Sequence, residues 1–151
     1  PVSPPAELHY YCRPVRERPP RLPVEFLAVT EFLADEPACK QLWDLASTQF
    51  RTRSKFLAVW PGVRFVCLHR APDGSADGFL LVTAPVNWQI DYVVVRPDAR
   101  GQGVANALLA GALTQAFRRG VPYVMLTSKP ELRPMYEGLG FVAIEPPPAG
   151  A

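Results

Sequence analysis

The 151 residues make up one ordinary domain's worth of chain, and a content of 48% hydrophobic and 11% aromatic residues suffices for a packed core. No apolar run reaches the roughly 18 residues that a membrane-spanning helix needs, and no basic-then-apolar leader opens at Pro1, so a soluble globular protein without a visible secretory signal is expected. A net charge of +2 and a sequence pI near 8.7 fall short of a dedicated nucleic-acid binder, so neither nucleic acid nor membrane is expected as a partner.

Proline-rich stretches, PVSPP, RERPPRLP and EPPPAGA, sit at the two ends, where a missing amide donor and a fixed φ disfavour helix and central strand. Residues 1–22 therefore read as an extended arm and residues 146–151 as a tail, with a single domain over 23–145. The arm carries Arg13, Arg16, Arg18 and Arg21. It reads as a solvated, partly disordered segment or, alternatively, as a contact for an anion or a partner.

VEFLAV (Val24 to Val29) predicts a strand. ADEPACKQLWDLASTQF predicts a helix, with Asp35 as its cap, Pro37 in its first turn and Leu42, Leu45 and Ala46 at helical spacing. FLAVW (Phe56 to Trp60) and VRFVCLHRA (Val63 to Ala71), split by Pro61-Gly62, read as one bent strand or a short strand pair. APDGSADG supplies hairpin chemistry before FLLVTA, Phe79 to Ala84. NWQIDYVVV (Asn87 to Val95) is the next strand. Alternation there puts Trp88, Ile90 and Tyr92 on one face and Asn87, Gln89 and Asp91 on the other. A polar strip in an apolar sheet is costly unless it lines a wet cleft or finds partners.

The strongest element follows. Val104, Leu108, Leu109, Ala112, Leu113, Ala116 and Phe117 form one stripe of 3.6-residue period, ended by Arg118, Arg119 and Gly120. VPYVMLTS, the helix Pro130 to Leu139, and FVAIE (Phe141 to Glu145) complete a strand–helix–strand–helix–strand series. After an antiparallel meander, that series predicts a mixed α/β sheet.

Cys12, Cys39 and Cys67 are far apart and include no C-x-x-C pair, which argues against a zinc site or a disulfide framework and fits a reducing cytoplasm. His9 and His69 have no second ligand at helical or turn spacing, so both are expected to be structural or surface residues and no metal is expected.

Between the central strand and the strong helix lies RPDARGQGVANALL, Arg96 to Leu109. The first amides of a helix lack internal acceptors and carry the positive end of its dipole. Small residues there let an anion reach the backbone, and Arg100 adds a forked donor. Gly101 and Gly103 would thus cradle a phosphate, or else serve only a turn. The Walker pattern is absent, and the dinucleotide fingerprint fails at its third glycine, where Asn106 stands.

Arg100-Gly101-Gln102-Gly103-Val104-Ala105 resembles the R/Q-x-x-G-x-G/A signature of the GNAT superfamily of acyl-CoA-dependent N-acetyltransferases. The preceding VVVRPDA is similar to that family's strand and turn. PMYEGLGF (Pro134 to Phe141) is similar to its tyrosine-bearing helix and final strand. The resemblance covers roughly Phe56 to Glu145. It implies a GNAT-like α/β (mixed α+β) fold, a central mostly antiparallel sheet with a splayed parallel strand pair flanked by about four helices.

It also implies acetyl-CoA or another acyl-CoA as cosubstrate. The cosubstrate's pyrophosphate would lie on the loop Arg100, Gly101, Gln102, Gly103, Val104 and Ala105, extending to Asn106, and its pantetheine arm on the backbone of Val93, Val94 and Val95. Transfer to an amine requires removal of a proton, since a lysine-like ammonium with pKa of about 10 has no lone pair. Tyr136 matches the family tyrosine near the sulfur and is the candidate acid; packing alone is the alternative. Asp91, on the cofactor strand, is the candidate base; a strand-edge acid, an arginine partner or base action through ordered water are alternatives. Lys129 and Leu132 depart from the asparagine and alanine that many members carry there. The acceptor would enter near Trp43, Phe50, Trp60 and Trp88, aromatics that also suit a core.

Direct transfer in a ternary complex is expected, because neither a cysteine nor a serine near the loop is set up as a nucleophile. The competing readings are an acyl-CoA-binding sensor or structural module without turnover and, less well supported by the charge, a nucleic-acid partner using the arginine-rich arm. A homodimer fits proteins of similar type.

Overall fold

A computed structural model describes residues 7–47, 58, 60–84 and 86–145. Its strands are β1 (Leu8–Cys12), β2 (Glu25–Ala28), β3 (Val63–Arg70), β4 (Ala76–Thr83), β5 (Trp88–Val95), β6 (Val124–Ser128) and β7 (Val142–Ile144). Four helices accompany them among the described residues: α1 (Val29–Leu33), α2 (Glu36–Ala46), α3 (Val104–Arg118) and α4 (Arg133–Gly138). Single 3-10 turns at Trp60–Gly62, Pro97–Ala99 and Pro130–Leu132 each contain a proline, which suits a tight start that needs no amide donor.

The seven strands form one sheet in the order β2-β3-β4-β5-β6-β1-β7. Every recorded pairing is antiparallel except β5 with β6. On one face lies α3, whose Val104, Leu108, Leu109, Ala112, Leu113 and Ala116 pack with Leu80, Trp88, Ile90 and Val124 of the sheet. On the other face Phe32 of α1 and Leu42 and Leu45 of α2 pack on Val66, Leu68, Phe79 and Leu81. Burying a leucine of this kind is worth about 1.5–3 kcal/mol, so α3 and α2 clamp the sheet from both sides. Asp35 caps α2 as its spacing predicts, accepting from the Ala38 amide at 3.1 Å.

The expected mixed sheet is present, with corrections in detail. Residues 1–22 do not form a solvated arm throughout: Leu8–Cys12 is a strand between β6 and β7, with Tyr10 at 1% exposure. Its inward Leu8, Tyr10 and Cys12 alternate with outward His9 and Tyr11, and the prolines fall outside the paired stretch. Val29 opens α1 instead of extending β2. Of the predicted strand Phe56 to Trp60, Trp60 sits in a 3-10 turn and Phe56, Leu57 and Val59 lie outside the described residues, as does the tail 146–151. Phe117 is 39% exposed rather than part of the α3 stripe, whose buried side ends at Ala116.

His69 and Asp77 form a buried pair across β3 and β4, Nδ1 to Oδ1 at 2.5 Å. His9 is exposed and hydrogen-bonds the Thr127 hydroxyl. All three cysteines are free, and burial pushes the Cys67 thiol up to about 12, which makes it an inert core group.

Candidate active site

The parallel pair β5–β6 is short. Its register runs only through Trp88 with Val124 and Gln89 with Met125, and beyond these residues the strands part. The cause lies in β5 itself. Opposite Leu80 and Leu81 of β4 stand Val93 and Asp91, so Tyr92 is an extra, bulged residue. Its φ of 59° is left-handed, which costs a non-glycine residue roughly 1–2 kcal/mol. The bulge also ends the simple alternation. Trp88 and Ile90 belong to the α3 side, whereas Tyr92 packs on the α2 side and Val93 returns to the α3 side. The expectation that Trp88, Ile90 and Tyr92 share one face therefore fails at Tyr92.

The parted strands enclose a cleft of about 580 Å³. Gln89, Asp91 and Val93 line it from β5, Thr127 and Ser128 from β6, Tyr136 from α4, and Ala105 from the start of α3. Asp91 and Tyr136, far apart in sequence, thus face one space. The Thr83 hydroxyl donates to the Asp91 carboxylate at 2.8 Å. Burial pushes the Asp91 carboxyl above the ordinary aspartate value, and the Thr83 hydrogen bond works against that rise. Tyr136 is 4% exposed, its ring 5.0 Å from that of Tyr10 and 5.8 Å from that of Phe141. Burial raises the Tyr136 hydroxyl pKa above the usual phenol value, with a side-chain hydrogen bond to Ser128 opposing it. The hydroxyl therefore keeps its proton at neutral pH.

The loop before α3 explains its glycines. Gly101 and Gly103 have φ of 77° and 85°, a backbone that L-side chains rarely adopt, and no atom lies within 4 Å of where a Cβ would stand on either. Gly103 is the cap residue of α3 and no side chain caps the helix, while the first intrahelical bond runs from the Ala107 amide to the Gly103 carbonyl. The amides of Val104, Ala105 and Asn106 are left without intrahelical acceptors beside open space. An acidic diphosphate fits such a corner, and an extended pantetheine-like arm fits the slot between the parted strands.

Not every predicted cofactor residue faces the slot. Val93 lines it, Val94 is 1% exposed and packs toward α2, and Val95 packs toward α3. The Val104 side chain is buried, leaving only its amide available. Arg100 Nε donates to the Val95 carbonyl at 3.3 Å, and Gln102 Nε2 to the Asp98 carbonyl at 3.4 Å, so both side chains brace the loop. Gln102, Gly103 and Asn106 border a second cavity, between α3 and α4.

The tryptophans expected near an acceptor do not line the cleft of Asp91 and Tyr136, although Trp88 borders a separate cavity with Arg64 and Phe65. Trp43 and Trp60 pack on the α2-side core, and Trp88 is 4% exposed in a stack with Phe26 and Phe65. Phe50 lies outside the described residues. Thr83, Ser128 and Tyr10 belong to the site and were not singled out in the sequence. A cross-strand partner for Asp91 and a ring partner for Tyr136 come from strands remote in the chain, and no local pattern marks them. Among the described residues no group of His, Cys, Asp and Glu could hold a metal ion.

The chain matches the acetyltransferase (GNAT) domain family over residues 65–150, more than half its length. It is similar in fold to a GCN5-related N-acetyltransferase from Sphaerobacter thermophilus, with TM-score 0.69 and 20% identity over 91% of this chain and 48% of that one. It is also similar to a GNAT-family protein from Novosphingobium aromaticivorans, with TM-score 0.68 and 22% identity over 96% and 66%. A ribosomal-protein-alanine N-acetyltransferase from Brucella melitensis gives TM-score 0.56 and 20% identity over 85% and 98%. The chain thus spans about half the length of the Sphaerobacter protein and 66% of the Novosphingobium one. A glycine loop feeding an uncapped helix, a parallel strand pair parted by a bulge, and the matched domain agree: the chain belongs to the GNAT acetyltransferase family.

Proposed function

We propose that the protein transfers an acetyl group from acetyl-CoA to a primary amine by direct attack in a ternary complex. The observation that carries this reading is the cleft between β5 and β6, which brings Asp91 and Tyr136 together and ends at Ala105, beside the unpaired amides of α3. The thioester supplies an activated acyl carbon and a thiolate leaving group.

The backbone of Val93 to Val95 and the amides of Val104 to Asn106 bind and orient the cosubstrate. Asp91, whose carboxyl burial makes more basic, accepts the ammonium proton directly or through one water. Tyr136, protonated at neutral pH, donates to the departing sulfur. Glu7 and Asp91 outnumber Lys129 among the charged residues of the cleft, which favours a cationic acceptor.

Thermal stabilisation by acetyl-CoA and thiol release across an amine panel test the proposal. Ligand at 100-fold excess over its dissociation constant adds about 2.7 kcal/mol of stability. Stabilisation with thiol release that falls in Tyr136→Phe and Asp91→Asn supports it. Stabilisation without release from any amine would favour an acyl-CoA sensor. Absence of both overturns the reading.

A further inference from the structure

Met135, which lines the active-site cleft, also borders a second cavity of about 720 Å³. One wall of this cavity is the start of α3, with Gly103, Asn106 and Ala110, and the other is α4. Its remaining side is the segment between β1 and β2, which contributes Arg16, Arg18 and Arg21.

That segment is tied down. The Arg18 amide donates to Thr114 Oγ1 in α3 at 2.8 Å, and Arg118 Nε donates to Glu17 Oε1 at 2.6 Å. The Arg18 guanidinium lies over Gly140, so close that a Cβ there would stand 2.5 Å from Nη2. Arg18 is thus occupied in packing, and Glu17 is engaged by Arg118. Arg16 and Arg21 are exposed, and among the described residues no ion pair is recorded for either. A cavity beside unpaired helix amides, with two uncommitted guanidinium groups on its rim, is built for more anionic charge than one diphosphate brings.

We propose that Arg16 and Arg21 bind the ribose phosphate at the nucleotide end of coenzyme A, so that the segment between β1 and β2 selects the fully phosphorylated cosubstrate. This rests on the acyl-CoA reading above. With the diphosphate on the amides of residues 104–106, the next anionic group is that monoester phosphate. It carries nearly two charges at neutral pH and suits the planar fork of arginine.

The test is calorimetric titration at fixed ionic strength with coenzyme A and with dephospho-coenzyme A. The proteins compared are the parent, the double variant Arg16→Gln/Arg21→Gln, and Arg13→Gln as a basic-residue control outside the cavity. The parent is expected to bind coenzyme A about tenfold more tightly than the dephospho form, as two charge-assisted contacts at an exposed rim allow. The double variant should bring that ratio near one, and the control should keep it. A ratio near one in the parent, or a ratio retained in the double variant, overturns this proposal and leaves the acyl-CoA reading standing. Failure of both nucleotides to bind the parent overturns the two together.

Discussion

Substituting Gly103 by alanine separates the backbone geometry of the loop from its role toward a ligand. Its φ of 85° places an L-residue in left-handed backbone, at a cost of about 1–2 kcal/mol. No atom lies within 4 Å of the new Cβ, so no clash adds to that cost. The restricted unfolded chain returns a few tenths, leaving a net destabilisation of about 1 kcal/mol. In a domain of this size that lowers the melting temperature by about 3 °C. Affinity should suffer more, because the methyl would stand beside the amides of residues 104–106. Each charge-assisted hydrogen bond lost there is worth about 1.5–3 kcal/mol, or at least tenfold in the dissociation constant of coenzyme A. Urea unfolding and calorimetric titration measure the two effects independently. Gly74→Ala, at φ of 88° in the β3–β4 turn and also in open space, should lose similar stability with unchanged affinity. An affinity untouched in Gly103→Ala, with stability reduced as expected, would refute the cradle and leave only a turn.

Other outcomes follow from the same geometry. Tyr136→Phe should lower kcat by about 10²-fold while coenzyme A binds within twofold of the parent, because the ring stays and only the proton donor goes. Asp91 must be ionised to accept a proton, so kcat/KM should fall as pH drops through its raised pKa, and Asp91→Asn should lack that acidic limb. Thr83→Val removes the hydrogen bond that lowers this pKa, and the limb should move to higher pH. The same shift bears on folding. A carboxyl whose folded pKa exceeds its unfolded value loses stability as pH rises between the two, so Asp91→Asn should raise the urea midpoint at pH 7 and leave it unchanged below the ordinary aspartate range. Among the described residues the buried Tyr10 hydroxyl has no hydrogen-bond partner, so Tyr10→Phe should keep stability within about 1 kcal/mol of the parent in a thermal melt.

The parts of this protein that were legible in its sequence are those whose cause is local. The α3 stripe repeats at 3.6 residues, its start follows Gly101 and Gly103, and PMYEGLGF places Tyr136 on a short helix before Gly140. Each needs only neighbours within a few positions. What escaped depends on remote partners. Leu8–Cys12 alternates correctly for a strand, yet only β6 and β7, more than a hundred residues on, make it central. Nothing in the residue type of Tyr92 announces a bulge, since tyrosine ordinarily favours regular strand, and without the bulge the cleft does not open. The arginines of residues 16–21 read as a charge run because charge alone does not reveal that Thr114 and Gly140 hold the segment against a cavity.

Amide-resolved NMR during titration with coenzyme A tests the central claim most directly. The largest shifts are expected on the amides of Gly103, Val104, Ala105 and Asn106 and of Val93 to Val95 in β5, with the amides of α1 and α2 unmoved. Saturable binding that leaves those amides in place and shifts a different part of the sheet would contradict it.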